Sequence, residues 1–379
     1  MIDSFSAYQL SDICTRLSSG KSIHSSKVSE AGPYPVIGGN GYRGFTQEPN
    51  FVGECAVIGR QGAACGNVRY FSGKAYMTEH AVVAQTNPSH NTRYLAYLLS
   101  TMELGRLSAQ SAQPGLSVKT LGKQEVSLPS KETQDRIVAL LGALDDAIES
   151  NAKLNDYLAE LVRAEFSYRF GSGTPTTNLG DVMSISTQLL KPSACAGEIW
   201  EHYSIPAFDE SRRPVFEPAD GIKSNKYVID NNCILISKLN PSTKRLWLPF
   251  CTSERPVCST EFIVYKPKKP EHKSFYYAAV DSAAFTDFLL AHVTGSTGSR
   301  QRTQPKATLN YPTPNPSVEE IEDFCGFADP IIAKWQLNEQ ESAQLESLRD
   351  ALLPKLMSGE IDVSEVELPM QPNNHLAEN

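Results

Sequence analysis

A long helical pattern that occurs twice, 187 residues apart, constrains the fold of this chain more than any other feature. In each copy, apolar or small polar residues recur at alternating spacings of four and three, which is the heptad pattern of paired helices. The seam residues of the first copy are Ile137, Leu141, Leu144, Ile148, Asn151, Asn155, Leu158 and Val162. Those of the second are Phe324, Ala328, Ile331, Trp335, Asn338, Ser342 and Leu345. The pattern predicts two long helices, at about 130–168 and 317–357.

Both helices carry a start signal and share one polar seam position. Ser130 is a candidate N-cap, and Ser317 can form a capping box with Glu320. Asn151 of the first helix corresponds to Asn338 of the second. An asparagine at a seam position fixes register and partner orientation at a cost in stability. We therefore expect this role for both, with simple exposure to solvent as the alternative.

The segments in front of the two helices also repeat, although more weakly. The matching pairs are 10–13 with 179–182 and 34–37 with 203–206, at a shift of 169, and 78–83 with 260–265, at a shift of 182. A shift that drifts is typical of loops inserted between equivalent strands. The chain is therefore expected to run lobe, helix, lobe, helix. The expected segments are lobe 1 (1–128), a spacer helix (129–171), lobe 2 (172–314), a second spacer helix (315–362) and a disordered tail (363–379).

Each lobe combines short strand signals with helix signals, which indicates the α+β fold class. The predicted buried strands are 55–59, 80–84, 233–237 and 262–265, and the predicted helices are 92–101 and 274–291.

Charge separates the lobes from the helices. Residues 1–128 carry 11 Lys and Arg against 8 Asp and Glu, whereas 315–379 carry 3 against 14. Two mildly basic lobes favour a polyanionic partner, with chance variation as the alternative. No apolar run approaches the roughly 18 residues of a membrane span. The start of the chain does not resemble a secretion signal, and the eight cysteines are scattered without a C-x-x-C pair. We therefore expect a cytoplasmic protein without a membrane partner.

No motif makes a strong case for catalysis. The segment GNGYRG at 39–44 fits a dinucleotide-binding pattern, but no helical pattern follows it, as that site requires. It is better explained as a turn that presents Asn40, Tyr42 and Arg43. Adenine methyltransferases carry Asn/Asp-Pro-Pro-aromatic, which Asn240-Pro241-Ser242 does not supply. The histidines show no metal-ligand spacing, and no metal site is expected.

Four further polar clusters, at 58–67, 111–120, 237–245 and 294–308, are candidates for DNA contact. Asn and Gln pair with adenine edges, Arg pairs with guanine, and Ser, Thr and Lys contact phosphate. With the turn at 39–44, the candidate DNA-binding residues are Asn40, Tyr42, Arg43, Arg60, Gln61, Asn67, Gln113, Ser117, Lys119, Lys238, Asn240, Ser242, Lys244, Arg245, Ser299, Arg300, Arg302 and Lys306. Solvated loops without a ligand are the alternative.

Several of these segments resemble the specificity (S) subunits of type I restriction–modification systems. The resemblance rests on YPVIGGNGYRGF, VIGRQGAACGNV, MTEHAVV, QPGLSVKTL, LPSKETQDRI and the helix LDDAIESNAKLNDYLAEL. It covers about 8–360 and is stronger in the first half, because PNPSVEEIEDF lacks the Gln of LPSKETQ.

The resemblance implies two α/β target recognition domains in tandem, each reading one half of a bipartite, asymmetric double-stranded DNA target. It implies that the two helices form an antiparallel coiled coil with pseudo-twofold symmetry. Two methyltransferase (M) subunits would dock there and methylate adenine N6 from S-adenosylmethionine, and restriction (R) subunits would add ATP- and Mg-dependent cleavage in phage defence. This chain would bind no cofactor and catalyse nothing.

Three alternatives remain open. The chain could serve a type II system with fused cleavage and methylation, it could be a standalone DNA methyltransferase or nuclease, or it could be a coiled-coil scaffold without a DNA role.

Overall fold

The computed structural model describes residues 5–108, 115–172, 174–294 and 301–366, which form two compact units. Unit 1 comprises the described residues up to Ile148 and from Ala343 onwards, and unit 2 comprises those from Glu149 to Ser342. Each unit therefore contains one lobe and part of each long helix. The finer segment boundaries remain a prediction.

The lobe of unit 1 is built on a six-stranded sheet. The described strands of this lobe are β1 (Ser6–Gln9), β2 (Cys14–Ser19), β3 (Tyr34–Gly38), β4 (Gly41–Thr46), β5 (Phe51–Gly59), β6 (Val68–Met77), β7 (Ala81–Thr86) and β8 (Glu125–Leu128). Strands β1 and β8 pair with each other outside the six-stranded sheet. The helices of the lobe are α1 (Leu10–Ile13), α2 (Thr92–Ser100), α3 (Val118–Gly122) and the first part of α4 (Lys131–Phe170). The sheet order is β2-β7-β5-β6-β3-β4, and only the β3–β6 pair in it is parallel.

The lobe of unit 2 holds a four-stranded and a five-stranded sheet, β10-β18-β15-β16 and β11-β14-β17-β12-β13. Its described strands are β9 (Thr176–Asn178), β10 (Met183–Ser186), β11 (Leu189–Leu190), β12 (Ile199–Tyr203), β13 (Val215–Pro218), β14 (Lys226–Val228), β15 (Ile234–Ser237), β16 (Leu246–Trp247), β17 (Pro256–Ser259), β18 (Phe262–Pro267), β19 (Val293–Thr294), β20 (Arg302–Thr303) and β21 (Pro312–Pro314). Its helices are α5 (Leu179–Val182), α6 (Ile205–Ser211), α7 (Lys273–Val280), α8 (Ala283–Ala291), α9 (Pro305–Thr308) and the first part of α10 (Val318–Met357).

The sheets confirm the repeat of the lobes and correct one of its registers. Among the described strands, the parallel pair β3–β6 of unit 1 aligns Val36 with Tyr76, and the parallel pair β12–β17 of unit 2 aligns Tyr203 with Cys258. Since Tyr76 and Cys258 are related by the 182-residue shift, Tyr203 corresponds to Val36 and not to Tyr34. The sequence match at 34–37 is therefore wrong by two residues. A displacement of two keeps side chains on the same face of a strand, so the apolar pattern could not reveal it.

The segment 274–291 forms two helices where one was predicted. Helix α7 ends at Val280, and Ser282 caps α8 by accepting a hydrogen bond from the Phe285 amide at 3.2 Å. The cap allows the chain to change direction although the residues on both sides are apolar.

Both long helices form as predicted, and their start signals are confirmed. The Ser130 hydroxyl accepts a hydrogen bond from the Thr133 amide, and Ser317 and Glu320 make the capping box in both directions. In unit 2, Asn155 contacts Trp335 and Arg169 pairs with Asp323, so the helices run antiparallel there. In unit 1, Arg349 pairs with Asp145, and Arg136 binds residues that follow α10. The antiparallel pairing and the α+β fold are therefore confirmed within each unit.

The predicted seam residues differ in how deeply they are buried. Ile137, Leu141, Phe324, Ala328, Asn338 and Ser342 are buried, and Leu144, Ile148, Asn151, Leu158, Ile331, Trp335 and Leu345 are half-buried. The Asn338 amide is completely buried and donates to Asn155 at 2.8 Å. Asn151 donates to Ser342 at 3.3 Å. Simple exposure is therefore the wrong interpretation of Asn338.

The sequence predicted a disordered tail from residue 363, but the chain is still packed against unit 1 at that point. Val363 is 2% exposed within the core of unit 1. The guanidinium of Arg136 donates to the carbonyls of Val363, Ser364 and Val366 at 2.8–2.9 Å. These contacts hold 363–366 on α4, and the rest of the expected tail, 367–379, lies outside the described residues. Among the described helices, none combines the length and the hydropathy that crossing a bilayer would require.

Candidate nucleic-acid interface

In unit 1 the polar clusters at 58–67 and 111–120 are joined through their backbones. The Leu116 amide donates to the Arg60 carbonyl at 2.8 Å, and Gln61 forms a β-bridge with Gly115. The Arg60 amide in turn donates to the His80 carbonyl at 2.9 Å. The ends of three loops therefore meet at Arg60.

The turn at 39–44 lies against the same junction. A Cβ atom at Gly39 would lie 2.7 Å from the His80 carbonyl oxygen and 3.5 Å from the backbone of Gly59. Only a glycine allows this approach without displacement. Asn40, Tyr42 and Arg43 are exposed beside it, and the Tyr42 side chain is 56% exposed.

The clusters of unit 2 at 237–245 and 294–308 are joined in the equivalent way. The Thr303 amide donates to the Lys238 carbonyl at 3.0 Å, and the Asn240 amide donates to the Gln301 carbonyl at 2.9 Å. Leu239 forms a β-bridge with Arg302, as Gln61 does with Gly115 in unit 1. Each lobe thus presents two polar loops that are fixed to each other next to the end of a buried strand, β5 or β15.

The cationic side chains in the loops of unit 1 differ in whether other protein groups already bind them. Arg43 and Lys119 are exposed and make no ion pair with any described residue. The Arg60 guanidinium instead donates to the Leu116 carbonyl at 3.3 Å and to the Ser19 hydroxyl at 3.4 Å. Ser117 caps α3 by accepting from the Thr120 amide at 3.0 Å. Gln61 and Asn67 are exposed.

Three of the predicted loop cations of unit 2 are neutralised by carboxylates. Arg245 makes a two-pronged pair with Asp209 at 2.6 and 2.8 Å, and Arg302 makes one with Glu261 at 3.0 and 3.2 Å. The third pair joins Lys244 to Asp281 at 2.5 Å. These carboxylates reduce the positive charge that the loops can offer to a polyanion.

The other predicted residues of unit 2 are less constrained. Ser242 and Lys306 are exposed, and Lys238 is half-buried. Asn240 has a φ of 47°, a left-handed conformation that asparagine tolerates better than most residues. Gln113, Ser299 and Arg300 lie outside the described residues.

Sequence reasoning missed the three carboxylates that hold the loops of unit 2. Of the three, only Glu261 could have been singled out from the sequence, because the repeat aligns Thr260-Glu261 with Thr78-Glu79. In unit 1, Glu79 contacts the neighbouring His80 at 3.3 Å and not a loop cation.

The cysteines of the described residues are free thiols in mostly buried positions. Burial raises the pKa of Cys14, Cys55, Cys233 and Cys251 to about 12. These thiols stay protonated at neutral pH, which makes them poor nucleophiles. Among the residues that the structure describes, no cluster of His, Cys, Asp and Glu could hold a metal ion.

Residues 3–160 match the family described as the type I restriction modification DNA specificity domain. Over 117 residues, or 31% of this chain, the sequence is 44% identical to the type I restriction enzyme EcoprrI specificity subunit of Escherichia coli. That alignment spans 29% of the relative's length. A longer alignment, covering 73% of this chain and 70% of the relative, shows 24% identity to the type I restriction enzyme MjaIX specificity subunit of Methanocaldococcus jannaschii.

The fold is also similar to a solved structure. The crystal structure of a type I restriction–modification system S subunit from M. genitalium superposes with a TM-score of 0.60, at 16% identity. The match covers 93% of this chain and 96% of that one. At this identity the likeness concerns the fold alone.

Proposed function

We propose that this chain is a specificity subunit of a type I restriction–modification system and selects the DNA sequence on which partner subunits act. One observation carries the proposal. Both lobes join two polar loops by equivalent backbone hydrogen bonds, at Arg60 in unit 1 and at Lys238 in unit 2. Two polar surfaces on two different lobes, each held together by backbone hydrogen bonds, suit the two unlike halves of a bipartite DNA target.

The residues proposed to contact DNA are those whose polar groups remain available on these surfaces. In unit 1 they are Asn40, Tyr42, Arg43, Gln61, Asn67 and Lys119. In unit 2 they include Ser242 and Lys306, which are exposed. Phosphate contacts by the cations would position the lobe, and the amide groups would read base edges.

The long helices offer a surface for a protein partner. Leu154, Tyr157, Leu161, Ala164 and Tyr168 recur on α4 at spacings of three and four, and all are exposed. The side chains of Tyr157 and Tyr168 are 70% and 87% exposed. This stripe lies on a different face from Val162 and Phe166, which are buried in unit 2. An exposed apolar stripe with heptad spacing suits a further helix.

We infer that the partners are methyltransferase subunits that dock on the helices, two for each chain, together with restriction subunits. In that assembly, S-adenosylmethionine, ATP and Mg would be bound by the partners, and the complex would work in the cytoplasm. The full chain alone should then show no saturable binding of S-adenosylmethionine in isothermal titration.

The test is to co-express the chain with its cognate methyltransferase subunit in a host that lacks adenine methylation, and to sequence the methylated genome. We expect N6-methyladenine within one bipartite motif. The methyltransferase subunit expressed without the chain is the control and should give no motif. The proposal fails if the control yields the same motif, or if the pair methylates adenines in no defined sequence.

A further inference from the structure

Asp281 links a polar loop of unit 2 to a long helix. It follows α7, and its side chain is only 10% exposed. One carboxylate oxygen accepts from Arg163 Nε of α4 at 3.0 Å, and the other pairs with Lys244 Nζ at 2.5 Å. The Lys244 ammonium also donates to the backbone carbonyl of Asp281.

Lys244 belongs to the loop at 237–245 that bears the candidate DNA contacts. The Ser237 amide donates to the Arg245 carbonyl at 2.9 Å, and the Thr243 amide donates to the Asn240 carbonyl at the same distance. The loop is therefore internally closed, and Lys244 connects it to the body of unit 2. Arg245 adds a second connection through Asp209, and Asn240 and Ser242 lie within the closed loop.

Among the described residues of unit 1, the position that corresponds to Asp281 carries no carboxylate. The 182-residue shift places Leu99 at the position of Asp281, and Leu99 is 1% exposed in an apolar core. In unit 1 the loop junction is closed by Arg60 instead. The carboxylate is therefore a local feature of unit 2 and not a general requirement of the lobe fold.

We propose that Asp281 is a positioning residue for DNA recognition by unit 2, acting through Lys244. The Asp281 carboxylate is nearly closed off from solvent, whereas the side chains of Arg163 and Lys244 keep 50% and 32% of their surface exposed. A shielded carboxylate is costly to leave without its cations, so it favours the one geometry in which both are paired with it. Lys244 then serves as an anchor of the loop and does not neutralise a phosphate. This inference rests on the proposed function.

The two roles of Lys244 predict opposite results for Asp281→Asn, which keeps the shape and removes the charge. If Lys244 is an anchor, the variant loosens the loop, and discrimination in one half of the methylated motif falls about ten-fold, the size of one base contact. If Lys244 instead contacts phosphate, releasing it from Asp281 strengthens DNA binding and steepens its salt dependence.

The experiment uses the full chain with its methyltransferase subunit and compares methylated motifs. Asp281→Asn and Lys244→Met should relax the same half of the motif, and the double variant should be no worse than either single one. The other half of the motif, read by the same chain, shows whether the complex still folds and assembles. Asp287→Asn, at an exposed position of α8, is the matched control and should change nothing.

Each outcome is decisive. An unchanged motif in Asp281→Asn, additive effects in the double variant, or tighter binding with a steeper salt dependence would each overturn the positioning role. If the wild-type complex methylates no defined sequence, the proposed function fails first, which is a different result.

Discussion

In unit 1 a guanidinium group lies where unit 2 has a phenyl ring. The 182-residue shift places Arg93 of α2 at the position of Phe275 of α7. Arg93 pairs with Asp146 of α4 at 2.9 Å. Phe275 lies 5.2–5.9 Å, ring to ring, from Phe166, Phe170 and Phe324. At this position the joint between lobe and helices is made by charged groups in unit 1 and by aromatic rings in unit 2. Elsewhere the lobe of unit 2 also pairs Asp281 with Arg163 of α4, and in unit 1 Ile137 and Leu141 pack in the apolar core of the lobe.

The first turn of each long helix shows the same contrast. Gln134 of α4 is completely buried and accepts from the Asn91 amide at 2.9 Å. It also donates to the Pro129 carbonyl at 2.9 Å. The 187-residue shift places Ile321 of α10 at this position, and Ile321 is 3% exposed in an apolar cluster.

The difference shows that one backbone design accepts two kinds of joint. Hydrogen bonds to buried groups contribute little when made but cost about 1–3 kcal/mol when one partner is lost. Aromatic rings contribute through buried area, and their removal leaves a cavity. We therefore expect the two units to respond differently to equivalent substitutions.

The largest expected effect is that of Phe324→Ala. Phe324 is fully buried among four other rings, so its truncation should destabilise unit 2 by about 3–5 kcal/mol. Hydrogen exchange should speed up in β15 and β18 while β5 and β7 of unit 1 keep their protection. Leu337→Ala, at a 56% exposed site on the same helix, is the control. Equal loss of protection in both units would contradict separate joints.

The next effect is that of Gln134→Ala in unit 1. It leaves the Asn91 amide and the Pro129 carbonyl without their partner, so we expect a loss of about 1–3 kcal/mol. Gln134→Leu should be no better, because an apolar side chain of similar size still leaves both groups unpaired. Chemical denaturation followed by exchange in α2 would measure this. A Gln134→Leu variant as stable as the wild type would show that the hydrogen bonds do not hold the joint.

The joints illustrate what the sequence can and cannot predict. Both 40-residue helices were predicted to within about two residues of their observed ends, because heptad spacing and capping signals are local. The seam pattern also places Phe324 in the core. Nothing local in the sequence indicates that Arg93 would meet Asp146, 53 residues later in the chain.

The candidate interface follows the same rule. The polar loops could be found from composition and from the repeat, but not the ion pairs that bind their cations. Arg245 meets Asp209 36 residues earlier in the chain, and Arg302 meets Glu261 41 residues earlier. Such contacts depend on tertiary packing, so a cation in a polar loop is not by itself evidence of a free charge.

A third effect depends on pH and concerns α10 in unit 2. Burial raises the pKa of Glu339 from its ordinary value near 4.5 to about 7, although Trp335 donates to it and Arg212 and Arg213 lie near. Stability from this group is complete below pH 4.5 and is lost as the pH rises through 7, because only the unfolded state ionises readily.

Glu339→Gln should therefore stabilise unit 2 at pH 8, by about 1–2 kcal/mol after allowance for partial exposure, and have little effect at pH 5. Denaturation at the two pH values measures the difference. Glu322→Gln, exposed on the same helix, should show no such dependence. A gain of equal size at both pH values would mean that ionisation of Glu339 is not the cause. In α4, the 187-residue shift places Ala152 at this position, so the other long helix offers no counterpart.

The smallest expected effect is on the salt dependence of DNA binding, and it tests whether the loops of the two units differ in charge. Arg43 is exposed without an ion pair to any described residue, whereas Arg302 is paired with Glu261. A cation that neutralises a phosphate releases a counterion, and losing it lowers the slope of log K against log salt by about one. Arg43→Gln should show this decrease.

The matching change in unit 2 is the double variant Arg302→Gln with Glu261→Gln, which leaves the local net charge unchanged. Because the pair offers little net charge to DNA, we expect the salt slope to stay within about 0.3 of the wild type. Binding of the assembled complex to its methylated motif, titrated at several salt concentrations, gives both slopes. If the double variant lost a full unit of slope, Arg302 would have to leave Glu261 for a phosphate on binding. The paired loops of unit 2 would then be as cationic towards DNA as the open loops of unit 1.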